Sequence, residues 1–145
     1  MARIEASVVI NRPVEEVFAY VDDEGNAPKW ESYILEAEQT SEGPKGVGTT
    51  LRGVAQLLGQ RIEFTAEITD YEPNRRVTEK ISGGPISLEQ SLTLEPVEGG
   101  TRLTIVGEGE TGGSFSMAER IVIRMFQRDV GANLAKLKEI LEAEA

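Results

Sequence analysis

A side chain that moves protons or holds a ligand must be titratable, nucleophilic or able to bind metal, and this chain offers a short menu. It has no histidine and no cysteine. The commonest general base and the commonest metal ligand are therefore missing, and thiol chemistry and disulfides are excluded. Paired carboxylates at metal-ligand spacing are absent, so neither a metal nor a cofactor is expected. Chemistry falls to carboxylates, Tyr, Lys, Ser, Thr and bound water. Glu79 stands between Val77 and Ile81, and Gln90 between Leu88 and Leu92. Residues two apart share one face of a strand, so alternation turns both polar groups towards an apolar interior. A carboxyl there has its pKa raised into the range of a useful general acid or base. A bulge that slips the register would instead leave Glu79 on the exposed face.

Further candidates lie at the ends of elements. Tyr33 falls with Leu35 and Ala37, and Trp30 stands at a break in the chain, where it would form a cavity wall or simply pack. Phe64 shares a face with Ile62, Ala66 and Ile68. Phe115, Glu119 and Phe126 fall on the apolar face of a long C-terminal helix. Ser116-Met117-Ala118-Glu119 also spells a capping box, which would use Glu119 only to satisfy the helix start. Asn133 on the same face reads as a satisfied polar core residue. Gly107 to Gly112 spells GxGxxG. No parallel βαβ unit surrounds it, and Glu108 and Glu110 would repel a pyrophosphate. Flexible glycines at a cavity gate are the better reading. Arg120, Arg124 and Arg128 make a basic stripe, read as a solvated face.

The elements that must position these residues follow from periodicity. Ile4, Ala6, Val8 and Ile10 alternate with polar residues as a strand. Pro13 followed by Glu15 and Glu16 marks a helix start. Residues 22–28 are polar and break the chain, with one further helical turn before Trp30. Alternating runs then cover 33–39, 49–58, 61–71, 77–82, 86–94 and 102–110, separated by short Gly-, Pro- and Asn-containing turns. Such connections predict an antiparallel meander. From Ser114 to Leu141 the apolar residues recur at helical pitch, with Arg120, Arg124, Arg128 and Lys138 opposite. A lone amphipathic helix cannot hide such a stripe, so the sheet must receive it.

At 145 residues and without internal repeats the chain reads as one domain spanning 1–145. Folding to roughly 7,000 Å² of surface would bury enough for a core unaided by disulfides or metal. The net charge of −10 and a pI near 4.6 argue against duplex nucleic acid and anionic membranes. No apolar run is long enough to span a bilayer, and Met1-Ala2-Arg3-Ile4-Glu5 does not read as a signal peptide. A cytoplasmic protein is expected.

Several stretches resemble a known family. Val8 to Trp30, with Pro13, Val17-Phe18, Asp22 and Pro28-Lys29-Trp30, is similar to the opening of the SRPBCC superfamily, also called START-like or pollen-allergen-like. Gly46 to Gly53 resembles its Gly-x-Gly-Thr lead into a strand. Ile68 to Val77 resembles its Tyr-x-Pro turn, Leu92 to Ile105 its Gly-Gly-Thr hairpin, and Asn133 to Ala145 its last helix. The resemblance implies the α+β helix-grip fold. A curved antiparallel sheet of about seven strands wraps a long C-terminal helix, with two short helices after the first strand. It also implies a cavity under that helix for apolar small molecules, and members include polyketide cyclases, dehydrases and non-catalytic carriers. Iron–sulfur hydroxylase members need His and Cys, which this chain lacks.

The expected function is binding or transport of an apolar, lipid- or polyketide-like molecule. The cavity set is Trp30, Tyr33, Phe64, Glu79, Gln90, Phe115, Glu119 and Phe126. Two alternatives stand. One is a polyketide cyclase/dehydrase-type enzyme in which Glu79 or Glu119 works with Tyr33. The other is an interaction module whose cavity is filled. The partner is a small molecule; a homodimer is compatible with the sequence, which fixes no oligomeric state.

Overall fold

The alternation at the start of the chain builds strand β1 (Ala2–Ile10). Pro13, in extended backbone, caps helix α1 (Val14–Val21), which buries Val17 and Phe18. A 3-10 turn (Glu24–Asn26) and the short helix α2 (Ala27–Trp30) follow. Six strands come next: β2 (Ile34–Gln39), β3 (Thr50–Leu57), β4 (Gln60–Glu72), β5 (Arg76–Gly83), β6 (Ile86–Val97) and β7 (Gly100–Gly109). Helix α3 (Met117–Ala143) closes the order. This computed structural model describes residues 2–57, 59–83, 86–109 and 117–143, and of residues 2, 57, 86 and 117–122 the backbone alone. Phe115 lies outside the described residues, as do the side chains of Glu119, Arg120 and Val122 and the Ser116 end of the capping box.

The described strands form one antiparallel sheet in the order β1-β7-β6-β5-β4-β3-β2. Each strand from β2 to β7 pairs with its sequence neighbour, and β1 closes the other edge against β7. Two irregularities bend it. The register shifts between Ile34 and Glu36 in β2, and between Ile68 and Asp70 in β4. A bulge adds local twist and turns the following side chains over. In β2 this overturns the expected grouping of Tyr33 with Leu35. Ile34 and Ala37 face the interior, whereas Leu35 is 39% exposed.

A close approach deepens the curl. Gly53 of β3 pairs with Phe64 of β4, and a Cβ on Gly53 would lie 2.3 Å from the Phe64 ring. Only glycine leaves room for that ring across the strand.

α3 has two parts. Val130, Leu134, Leu137 and Leu141 are buried against Ile10, Val17, Phe18, Leu94 and Leu103. That end is also clamped by polar bonds. The Asn11 N–H donates to Glu142 Oε2 at 2.9 Å, and Arg12 donates to the Glu142 carbonyl at 3.1 Å. Lys138 Nζ donates to Glu142 at 2.5 Å and to the Val9 carbonyl at 2.8 Å. Lys138 is thus an anchor to β1. These contacts to Lys138 and the Asn11 amide hold the Glu142 pKa below its usual range. Upstream, Ile123 and Phe126 face open space instead of core.

Candidate functional site

Between the concave face of the sheet, α2 and the first half of the described helix lies a cavity of about 910 Å³. Most of its wall is apolar and comes from the inward positions of the strands, such as Ile62, Phe64, Ile68, Ile81 and Leu88. Of the residues expected there, Trp30, Tyr33, Phe64, Glu79, Gln90 and Phe126 all line it. Glu79 and Gln90 are directly paired across β5 and β6, so their side chains leave the sheet on the same face. The uninterrupted register from Arg76 to Gly83 keeps Glu79 inward. Tyr33 packs edge-on against Phe126 with ring centroids 5.9 Å apart, tying the exit of α2 to the helix roof. Gly107 and Gly109 are paired positions inside β7 whose backbone forms cavity wall, so the expected glycine gate is in part a strand.

One end of the cavity is polar, and it holds residues that periodicity did not find. Glu31 ends α2, its N–H bonded to the Ala27 carbonyl at 2.8 Å. It keeps some surface open to the cavity yet is surrounded by protein. Burial first, and then the charge of Glu79, raise its pKa from 4.5 to about 8. Burial likewise raises Glu79 to about 7; Glu24 and Asp22 push the same way and Lys45 opposes them. Tyr33 is pushed up by burial and by the charges of Glu31 and Asp129. Among the described residues neither Glu31, Glu79 nor Gln90 has a side-chain hydrogen bond or ion pair to the protein.

Lys45 stands beside them but is already engaged. Its Nζ binds the Asp22 carbonyl and Glu24 Oε1, with Asp22 Oδ1 at 3.6 Å. Asp22 also accepts the Tyr71 hydroxyl at 2.7 Å. Burial chiefly, with this bond, pushes the tyrosine pKa up. Tyr71 is therefore a polar brace for Asp22. Asn133 is buried; its Oδ1 accepts the Ser32 N–H at 3.2 Å, while its Nδ2 has no partner among the described residues. The buried Trp30 Nε1 likewise has no partner among the described residues.

The sequence signal for this cluster was faint. Asp22, Glu24 and Glu31 sit in irregular turns with no period, and Lys45 is 23 residues from Asp22 in a separate loop. Arg124 is exposed and Arg128 pairs at 3.8 Å with Asp129. No group of three or more described Asp or Glu residues has a geometry that would hold a metal ion. Nor is any described helix long and apolar enough to cross a membrane.

Comparison with known proteins places this arrangement. A family profile described as polyketide cyclase/dehydrase and lipid transport matches residues 1–142. The chain belongs to that family, and the START-like resemblance of its motifs holds. An uncharacterised protein of Mycobacterium tuberculosis is 27% identical over 97% of this chain and 99% of its own length. Solved structures share the fold at lower identity. A Thermus thermophilus protein superposes with a TM-score of 0.80 at 20% identity, covering 99% of both chains. A Streptomyces aromatase/cyclase gives 0.77 at 15% identity, covering 97% of this chain and 93% of its own. A START superfamily protein of Mycobacterium smegmatis gives 0.76 at 16%, covering 97% and 99%.

Proposed function

We propose that this member of the polyketide cyclase/dehydrase and lipid transport family binds one apolar small molecule in the cavity between its sheet and α3. The observation that carries this is the shape and lining of the space. About 910 Å³ is enough for a ligand of drug or lipid-fragment size. Its walls are apolar, and its polar groups converge at one end, which is how pockets fix orientation. Among the described residues the side chains leave this space open, which supports ligand binding over a pure interaction module.

Native mass spectrometry of protein purified from its source tests the reading. A mass excess of one small molecule, lost on denaturation and released into organic solvent, is the expected result. Protein that carries nothing and takes up no neutral apolar dye would overturn it.

One observation favours a second reading, an acid–base enzyme acting on a polyketide-like substrate. Two cavity carboxyls titrate near neutrality, at about 8 for Glu31 and about 7 for Glu79. An acid and a base are both available at such values. In this reading Glu79, or Glu119 as the sequence had it, exchanges a proton with the substrate while Tyr33 donates a hydrogen bond. Turnover of an aromatic polyketide precursor that is lost in Glu79→Gln, with binding retained, would support it. Turnover that survives the substitution would remove Glu79 from that role.

A further inference from the structure

We propose that the polar end of this cavity selects apolar ligands that carry a basic nitrogen. The inference rests on the binding reading above and gives that ligand a head group.

Three features of the site point the same way. First, carboxyls dominate the polar end: Glu31 from α2, Glu79 from β5, and Asp22 and Glu24 from the turn after α1. Asp129 of α3 also faces the space. Second, the cations nearby are committed. Lys45 is held by Asp22 and Glu24. Arg52 is held by Glu38 at 2.8 Å and Glu36 at 3.1 Å on exposed side chains. Glu31 and Glu79 are left without an ion pair among the described residues, and the charge of Lys45 reaches Glu79 only while that lysine is held by Asp22 and Glu24. Third, aromatic residues border the same end. Trp30 and Tyr33 flank Glu31 in sequence and line the cavity with Phe126. Rings beside carboxyls form a favourable surround for an alkylammonium, through charge pairing and cation–π attraction together.

A bound ammonium changes the balance at Glu31 and Glu79. Each carboxyl is costly to ionise because it has left water without gaining a partner. A cation supplies that partner, so ligand binding and ionisation favour each other. A ligand carboxylate brings the opposite effect and adds repulsion. A hydroxyl is intermediate, since it can donate to a carboxyl but brings no charge.

Competition against N-phenyl-1-naphthylamine, a neutral apolar dye, tests this in the whole protein. The chain's single tryptophan, Trp30, lines the cavity and reports dye entry by energy transfer. Three competitors share one chain length: dodecylamine, dodecan-1-ol and dodecanoate. Buffers near physiological ionic strength screen the acidic outer surface. At pH 8 the amine should displace dye at about tenfold lower concentration than the alcohol, with dodecanoate weakest. Its advantage should shrink towards pH 6, where Glu31 and Glu79 hold protons. In the double variant Glu31→Gln, Glu79→Gln the amine and alcohol should converge while the dye still binds.

Equal displacement by amine and alcohol at pH 8 in the natural protein overturns the inference without any variant. An amine advantage that survives the double substitution overturns the assignment to these carboxyls. Dye that never enters refutes the binding reading itself, and the inference falls with it. Dye that enters without amine preference refutes the inference alone.

Discussion

Glu79→Gln should stabilise the protein at alkaline pH and have much less effect at pH 5. In the folded chain the carboxyl faces the cavity, and burial, aided by Glu24 and Asp22, lifts its pKa from 4.5 to about 7. Unfolded, it returns to the ordinary value. Well below pH 4.5 both states hold the proton, and the shift has no effect on stability. Between there and about pH 7 the unfolded chain releases the proton while the folded one keeps it, so stability is lost as pH rises. Above that range both states are ionised and the penalty is constant. Each tenfold change in the ionisation constant is worth about 1.4 kcal/mol, so the full penalty is about 3.5 kcal/mol. Cavity water relieves part of it, leaving about 2 kcal/mol for glutamine to recover at pH 9. In a domain of this size that is roughly 4–10 °C in Tm. Differential scanning calorimetry of both proteins at pH 5 to 9, at constant ionic strength, gives the answer. The two melting temperatures should nearly meet at pH 5, separate up to about pH 7 and run parallel above it. Loss of the Glu79 charge also eases ionisation of Glu31, adding a smaller gain that extends towards pH 8. A gap of equal size at pH 5 and pH 9, or a less stable variant at pH 9, would refute the argument that burial governs this carboxyl.

Two substitutions separate the anchor from the cavity. Leu137→Ala empties a fully buried site in the helix anchor; it should cost about 3–5 kcal/mol in urea unfolding, with dye affinity per folded molecule unchanged. Gly53→Val places a branched side chain where a Cβ alone would lie 2.3 Å from the Phe64 ring. The ring must shift, at a cost of about 1–3 kcal/mol, and dye titration should register weaker binding because the cavity wall has moved.

Strands were legible wherever alternation ran unbroken. Ile62, Phe64, Ala66 and Ile68 face inward as the period of two requires, and Glu79 and Gln90 follow because no bulge interrupts β5 or β6. Leu35 went the other way because the bulge at Ile34/Glu36 reverses the face, and bulges leave no mark in hydrophobic spacing. The division of the last helix was readable for a related reason. Its aliphatic end from Val130 to Leu141 meets core, while the part bearing Phe126 meets the cavity. The polar end of the site was not readable. Glu31 holds its position through a helix exit, and Lys45 reaches Asp22 and Glu24 from a separate turn. Such meetings depend on how loops close over the sheet, a long-range outcome that no local period encodes.

The division of labour along α3 also explains how the fold carries an expensive site. Buried carboxyls without partners and open apolar walls both lower stability. They are gathered at one end, where only Leu51, Ala66 and Ile68 form a small buried cluster among the described residues. The opposite end concentrates the packing of Leu134, Leu137 and Leu103 and the Glu142 clamp. Because the two are joined by one continuous helix, the anchor can hold the roof over a space that would not hold itself. A ligand that fills the walls and pairs the carboxyls supplies both missing contributions at once. Its binding free energy then adds directly to folding stability, by RT ln(1 + [L]/Kd) for one site. The costs built into Glu31 and Glu79 are thus the part of the fold that ligand occupancy is best placed to relieve.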